Sequence, residues 1–275
     1  MVKLILWAVV SMITLDLGVN YLFASPENGV QPSKLTRYFD YGRSTESKLL
    51  RIVAANNDEA ADIAKAGWFE VMPNGVAAKK KPQLFVYGMS FSNHIGGIIA
   101  HETDDFDVRL FAGPGAPLNH SYAYYLRHRT QHKKGDVVVL GILASAIPKL
   151  NTMGGMTASF EGPTTHMYPR YSLDVNDKLI EKQLPIFSLN EFREVLHNQT
   201  QWSQVKRRLS DDDSFYDEVT FSAGFIDKST YLSVFRRAWA AKHKQNVTNQ
   251  YFDDKGFKNT HRMVEVAQKI VSEFA

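Results

Sequence analysis

A serine that could act as a nucleophile stands within the stretch PQLFVYGMSFSNHIGG, residues 82–97. The apolar run from Leu84 to Tyr87 predicts a short strand that ends at Gly88, and the residues from Ser90 onward have helical spacing. Backbone N–H groups in the first turn of a helix lack partners, and the helix dipole favours negative charge there. This position could therefore stabilise an alkoxide or a tetrahedral oxyanion. The alternative is that Ser90 only caps the helix, a common role of serine.

Two further loops follow the next two predicted strands. The strand from Val108 to Ala112 runs into AGPGAPLNHS, and the strand from Val137 to Leu140 runs into GILASAIPK. Helical spacing predicts helices between the strands, from Ser90 to about His101 and from Tyr122 to about His132. This β-α-β-α-β order, with strands that are continuous apolar runs, predicts an α/β fold with a parallel sheet covered by helices. In such sheets ligands bind beyond the carboxyl ends of the strands.

These three blocks resemble the motifs of the SGNH (GDSL-type) hydrolases. In that family an apolar strand leads into a Gly-Asp-Ser-like turn, which LFVYGMSFSNHIGG resembles with Met89 in place of the usual Asp. The resemblance implies that Ser90 is the catalytic nucleophile and that Gly115, in LFAGPGAPLNHSYAYY, is a backbone donor of the oxyanion hole. Aligning DVVVLGILASA by its strand puts Ser145 at the position of the family's oxyanion-hole Asn. A serine hydroxyl can donate that hydrogen bond with shorter reach, and Asn119 is an alternative donor.

The resemblance also implies a three-layer α/β/α architecture with a flavodoxin-like parallel sheet of about five strands. The family takes its catalytic base from a D-x-x-H motif near the C-terminus, and that motif does not occur near this terminus. His261, seven residues beyond Asp254, is the nearest substitute, whereas His94 would point along its helix. Three explanations stay open: a truncated chain with an incomplete sheet, His261 as an unorthodox base, or a degenerate, non-catalytic member.

The composition excludes several other functions. The 32 basic and 29 acidic residues are interleaved, with a formal net charge of +3, so a nucleic-acid partner is not expected. Cysteine is absent, and the nine histidines are scattered without metal-binding spacing. No metal and no organic cofactor are therefore expected. Neither G-x-G-x-x-G nor G-x-x-x-x-G-K-[ST] follows a strand, which argues against a nucleotide-binding domain.

The N-terminal residues predict a membrane segment. The run LILWAVVSMITLDLGVNYLF after Lys3 contains about 20 mostly apolar residues, enough to span a bilayer as a helix. Residues 1–24 are predicted to be a signal-anchor; a cleaved signal peptide and a buried helix of a soluble protein are the alternatives. Asp16 argues against the anchor because a carboxylate within hydrocarbon is costly. Residues 25–45 predict a linker, and residues 46–275 a hydrolase-like domain with an insertion at about 151–228.

The rest of the chain predicts helices and no clear apolar strand. NEFREVLHN and QWSQVKRRL lie within the insertion, and STYLSVFRRAWAAKHKQ and NTHRMVEVAQKIVSEFA follow it. The tract EGPTTHMYPRYS combines His166 with aromatic residues on which sugar rings could stack. An ordinary Pro-rich loop is the alternative interpretation of this tract.

These features together predict a membrane-anchored serine esterase or O-acyl(acetyl)transferase on the periplasmic or extracellular face. The substrate would be an acylated polysaccharide or a small ester, because the chain is similar to membrane-anchored SGNH members found near bacterial exopolysaccharide genes. The alternative is a non-catalytic SGNH-like protein that binds or assembles a polysaccharide.

Overall fold

A computed structural model describes residues 2–22, 34–54, 64–69, 81–252 and 258–274. Within these ranges the helices are α1 (Val2–Leu22), α2 (Lys34–Asp40), α3 (Thr45–Ala54), α4 (Ser90–Glu102), α5 (Leu118–His128), α6 (Gly155–Ala158), α7 (Leu189–His197), α8 (Gln199–Asp212), α9 (Glu218–Phe221), α10 (Thr230–Phe252) and α11 (Lys258–Phe274), with 3₁₀ turns at Arg129–Gln131, Ala144–Asn151 and Phe225–Lys228. The strands are β1 (Gln83–Met89), β2 (Asp107–Gly113), β3 (Val137–Leu140), β4 (Arg170–Leu173) and β5 (Leu179–Lys182). The protein is thus a mixed α/β structure.

The first three strands form a parallel sheet in the order β2-β1-β3. Tyr87 on the central strand is in register with Phe111 on one side and with Leu140 on the other. The predicted parallel sheet is therefore confirmed, and its three carboxyl ends lie at one edge. The three-layer SGNH architecture stays a prediction. Within the described ranges the outer side of β3 pairs with no further strand.

Alternate side chains of the central strand pack against different helices. Phe85 and Tyr87 form a buried cluster with Phe111 and with Tyr124 of α5. Helix α4 packs on β1 and β2, where a Cβ at Gly96 would lie only 2.3 Å from Leu110 Cδ2. This glycine lets α4 lie directly on the sheet, which fixes the position of the helix that begins at Ser90.

The largest buried cluster lies beside the sheet rather than under it. It joins Leu49 and Val53 of α3 to Phe192 of α7 and Trp202 of α8. Helix α3 begins where the sequence predicts a capped helix, and the Ser44 hydroxyl accepts a hydrogen bond from the Ser47 N–H. Residues from the predicted insertion thus share a core with the first helix of the predicted domain. The domain boundaries themselves stay predictions.

The chain also contains a hairpin that the sequence pattern does not predict. Strands β4 and β5 pair antiparallel, with Leu173 opposite Leu179. Asp174 closes the turn by accepting hydrogen bonds from the N–H groups of Asn176 and Lys178. The expectation of no strand in this region was wrong, because four residues are too few for alternation of apolar residues to stand out.

Helix α1 is the one helix of the described residues that is long and apolar enough to cross a membrane. None of its residues is buried, so the alternative of a core helix in a soluble protein was wrong. Two polar side chains of α1 contact the rest of the protein. Asp16 accepts a hydrogen bond from the Tyr231 N–H, and Asn20 donates one to the Lys228 carbonyl. Asp16 is thereby satisfied at the first turn of α10.

Candidate active site at the carboxyl end of the sheet

Ser90 is the first residue of α4, directly after the central strand. The N-cap position belongs to Met89, and no side chain caps the helix, so the interpretation of Ser90 as a cap was wrong. The Ser90 side chain is exposed, and no hydrogen bond joins its hydroxyl to another described residue. An uncommitted hydroxyl at the N-terminus of a 13-residue helix is in position to meet a substrate from solvent.

Two glycines shape the backbone around this serine. Gly88 has φ +151°, a conformation that L side chains rarely adopt. A Cβ at Gly88 would lie 2.2 Å from Ser92 Oγ, and a Cβ at Gly141 would lie 2.0 Å from the same atom. Ser92 is therefore wedged between the ends of β1 and β3, with its hydroxyl unpartnered among the described residues. This close packing holds the start of α4 against the sheet.

Gly141→Ala is expected to lower the free energy of unfolding by about 1–3 kcal/mol, because the added methyl overlaps Ser92 Oγ. Adding Ser92→Ala removes the overlapping atom and should recover about 0.5 kcal/mol or more of that loss. Denaturant unfolding of the four species in detergent measures the coupling. Gly97→Ala is the matched control, since a methyl there meets open space. Additive effects of the two substitutions would contradict the close packing of Ser92 against Gly141.

Gly115 lies in the turn after β2, the position that the family resemblance gives it. Its φ of +63° is left-handed, and the turn is exposed. A Cβ at Gly115 would lie 3.9 Å from Lys149 Nζ, which brings a cation next to this turn. Burial lowers the pKa of Lys149, and repulsion from Lys244 lowers it further. The sequence analysis missed Lys149, since the lysine follows β3 by nine residues and no motif marks it.

Ser145 lies near the start of the 3₁₀ helix after β3, and its side chain is exposed. Ser90, Gly115 and Ser145 thus follow the three parallel strands at the same edge, with Ser90 on the central one. Asn119 does not belong to this edge. It is fully buried, and its Nδ2 donates to the carbonyls of Thr152 and Pro169 at 3.1 and 2.9 Å. The alternative assignment of Asn119 as an oxyanion donor was wrong.

No described histidine makes a hydrogen bond with Ser90. His261 is exposed on α11, with Nδ1 3.1 Å from Glu265 Oε1. The pair consists of a histidine and a carboxylate that could orient it. Among the described residues, however, no hydrogen bond joins the pair to Ser90, Gly115 or Ser145. His94 lies on the exposed outer face of α4, in a shallow groove with Asn93 and His101. Among the described residues, no histidine is therefore in position to act as the catalytic base for Ser90.

His166 lies in the interior, so the expectation of an exposed carbohydrate contact was wrong. Its ring is fully buried, 5.2 Å from the ring of His120 and 5.6 Å from that of Tyr168. His120 Nε2 donates to the Gly67 carbonyl at 2.8 Å, which leaves its Nδ1 without a partner among the described residues. Both ring nitrogens of His166 are likewise buried without a hydrogen-bond partner among the described residues.

His120 supports the end of the strand that leads into the Gly115 turn. A Cβ at Gly113 would lie 2.8 Å from His120 Cε1, so the end of β2 rests on this ring. Burial lowers the pKa of His120 to about 4 and holds that of His166 well below its usual range, and the proximity of His120 depresses the latter further. Both rings are neutral near pH 7, which suits an apolar interior.

Comparison with known proteins assigns no function to the residues at the carboxyl end of the sheet. The chain matches no family model, and no curated protein or solved structure shows significant similarity to it. Within the described ranges, no group of three or more histidine and acidic side chains is arranged to hold a metal ion. The function is therefore inferred from the geometry of the strand ends.

Proposed function

We propose that the protein is an SGNH-like serine esterase or O-acyltransferase with Ser90 as its nucleophile. The observation that carries this proposal is the exposed, uncommitted Ser90 hydroxyl at the N-terminus of α4, at the end of the central strand. The flanking strands end in the loops of Gly115 and Ser145, as the family pattern requires. The proposal includes the three-layer α/β/α architecture. The packing of α4 and α5 on opposite faces of the sheet supports this part of the proposal.

In the proposed reaction, Ser90 Oγ attacks the carbonyl carbon of an ester and its proton passes to a base. The negative charge that develops on the carbonyl oxygen would be stabilised by the N–H groups of Ser90 and Gly115, with the Ser145 hydroxyl as the third donor. Collapse of the tetrahedral species breaks the ester C–O bond, and the proton goes to the leaving alkoxide. Water or a second hydroxyl then takes the acyl group from Ser90. Lys149, beside the Gly115 turn, would add positive charge near the oxyanion.

The proposed location is the periplasmic or extracellular face of a membrane. Helix α1 supports the anchor, because 21 residues rise about 31 Å and match a hydrocarbon core of about 30 Å. The proposed substrate is an acylated polysaccharide or a smaller ester. This substrate class rests on the family resemblance, and the exposed strand ends provide open access for a large glycan.

A fluorophosphonate probe tests the nucleophile directly. We expect one covalent adduct per chain, and mass spectrometry of the digest should place it on the peptide that contains Ser90. Ser90→Ala should abolish the adduct, whereas Ser210→Ala, at an exposed serine of α8, should retain it. An adduct at another serine, or none in the folded wild-type chain, would contradict the proposal.

One observation favours the second candidate function, a non-catalytic polysaccharide-binding or assembly protein. Among the described residues, no histidine reaches Ser90, and an unassisted serine hydroxyl is a weak nucleophile. This candidate predicts no covalent adduct and no acetyl release, but retained glycan binding in Ser90→Ala. Measuring glycan binding and probe labelling on the same preparations separates the two functions.

A further inference from the structure

Helix α10 presents an apolar stripe that no described residue covers. Tyr231, Leu232, Phe235 and Trp239 are spaced along one face of the helix, with 39, 39, 63 and 53% of their surfaces exposed. Phe225, just before the helix, is 73% exposed. The four residues of the stripe, Tyr231, Leu232, Phe235 and Trp239, are termed the aromatic face. Large contiguous apolar surfaces of this kind mark interaction sites in soluble domains.

The opposite side of the same helix is fixed to the protein. Arg236 is buried and forms an ion pair with Asp227 at 2.6 Å, and Ser233 and Ala240 are buried as well. Trp239 keeps its ring exposed while its indole N–H donates to Asp217 at 3.1 Å. The aromatic face is therefore held in one orientation, pointing away from the core.

The aromatic face begins where α1 joins the domain. Asp16 of α1 accepts from the Tyr231 N–H at 2.9 Å, and Asn20, one turn later, donates to the Lys228 carbonyl at 3.3 Å and also bonds the Thr230 hydroxyl. Asp16 lies six residues before the end of α1, which is about 9 Å along the helix axis. When α1 spans a bilayer, the first turn of α10 is thus held within about 9 Å of the end of the hydrocarbon core, a depth that the apolar faces of interfacial helices reach.

We infer that the aromatic face rests on the phospholipid surface beside α1 and fixes the orientation of the domain against the membrane. Tyrosine and tryptophan favour this level of a bilayer because each combines an apolar ring with a polar group. The exposed Lys228, next to Asn20, adds a cation suited to anionic headgroups. The inference rests on the proposed membrane anchor and is independent of the proposed esterase activity.

The absence of cysteine from the chain allows a site-specific test. Phe235→Cys is labelled with the environment-sensitive dye NBD in the full chain, which is reconstituted into vesicles of phosphatidylcholine and phosphatidylglycerol. Val175→Cys, in the β4-β5 turn with 97% of its surface exposed, is the matched control, and Val9→Cys reports insertion of α1. Nitroxide-labelled lipids then measure contact between each dye and lipid.

We expect nitroxide lipids to quench the dye at residue 235 by about twofold or more, and to leave the dye at residue 175 unquenched. The emission at residue 235 should also shift to shorter wavelength on reconstitution. Quenching at residue 9 without quenching at residue 235 would overturn the inference while leaving the anchor intact. A blue-shifted but unquenched dye at residue 235 would show that protein covers the face, as in a dimer, and would overturn it too. Water-like emission at residue 9 would remove the anchor and the inference together, with no bearing on ester hydrolysis.

Discussion

Ser90→Ala is expected to lower kcat/KM for acetyl release from p-nitrophenyl acetate or an acetylated glycan by at least about 10³-fold. The reason is that the proposed acyl-enzyme forms on the Ser90 hydroxyl, which this substitution removes. A general loss of folding should not accompany the change, because the Ser90 side chain is exposed and makes no hydrogen bond with a described residue. Initial rates in detergent or vesicles measure the effect.

The matched control for this change is Ser210→Ala, which removes an exposed hydroxyl from α8 and should leave the rate unchanged. Wild-type acetyl release that persists in Ser90→Ala would contradict the assignment of the nucleophile. A folded wild-type chain that releases no acetyl group would favour the non-catalytic alternative. Lys149→Met tests a separate point, the positive charge near the proposed oxyanion. Loss of this charge should reduce the rate without abolishing the covalent adduct.

The parallel sheet could be predicted from the sequence because its signals are local. The apolar run from Leu84 to Tyr87 ends at a glycine, and the observed strand extends it by only one residue at the start and two at the end. The helix predicted from Ser90 to about His101 ends at Glu102. Continuous apolar runs bounded by turn residues determine such elements almost independently of the rest of the chain.

The parts that could not be predicted depend on contacts between distant residues. His166 looked exposed in a Pro-rich tract, yet it packs against Gly67 and His120, which are far away in the sequence. Asp16 looked costly in an apolar helix, yet its partner is the N–H of Tyr231, 215 residues later. Side-chain periodicity carries no information about such partners. The same limit applies to the base of the proposed reaction, whose identity depends on a contact rather than on a local pattern.

Acidification from pH 6.5 to 4 is expected to destabilise the fold through the buried pair His120 and His166. An unfolded histidine titrates near pH 6.5, whereas burial lowers the pKa of His120 to about 4 and that of His166 in the same direction. Between these values the unfolded chain binds more protons, so the free energy of unfolding falls as the pH falls. Each histidine contributes a slope of about 1.4 kcal/mol per pH unit, and His120 alone a total on the order of 3 kcal/mol.

Protonation of Asp213 affects the free energy of unfolding in the direction opposite to that of the two histidines. Burial raises its pKa to about 6, although Thr157, Met153 and Phe215 donate hydrogen bonds to its carboxylate. Between pH 6 and about 4 the folded chain therefore holds one proton more at Asp213 than the unfolded chain does. This offsets one of the two histidine slopes, so these three groups give a net loss of about 1.4 kcal/mol per pH unit below pH 6. Burial also lowers the pKa of His132, which adds to the loss in the same direction.

Denaturant unfolding of the full chain in detergent, repeated across this pH range, measures the slope. His166→Gln should reduce the slope by about 1.4 kcal/mol per pH unit, even if the variant is less stable at every pH. The reason is that the slope depends on the difference in bound protons between the unfolded and folded chains, and not on the contacts that the side chain makes. His94→Gln, which alters a surface histidine of α4, should leave it unchanged. A slope that is insensitive to His166 and equal in all three proteins would show that the interior ring is not the acid-sensitive group. In that case the ring would have to be accessible to protons in the folded state, which its complete burial between Gly67 and His120 argues against.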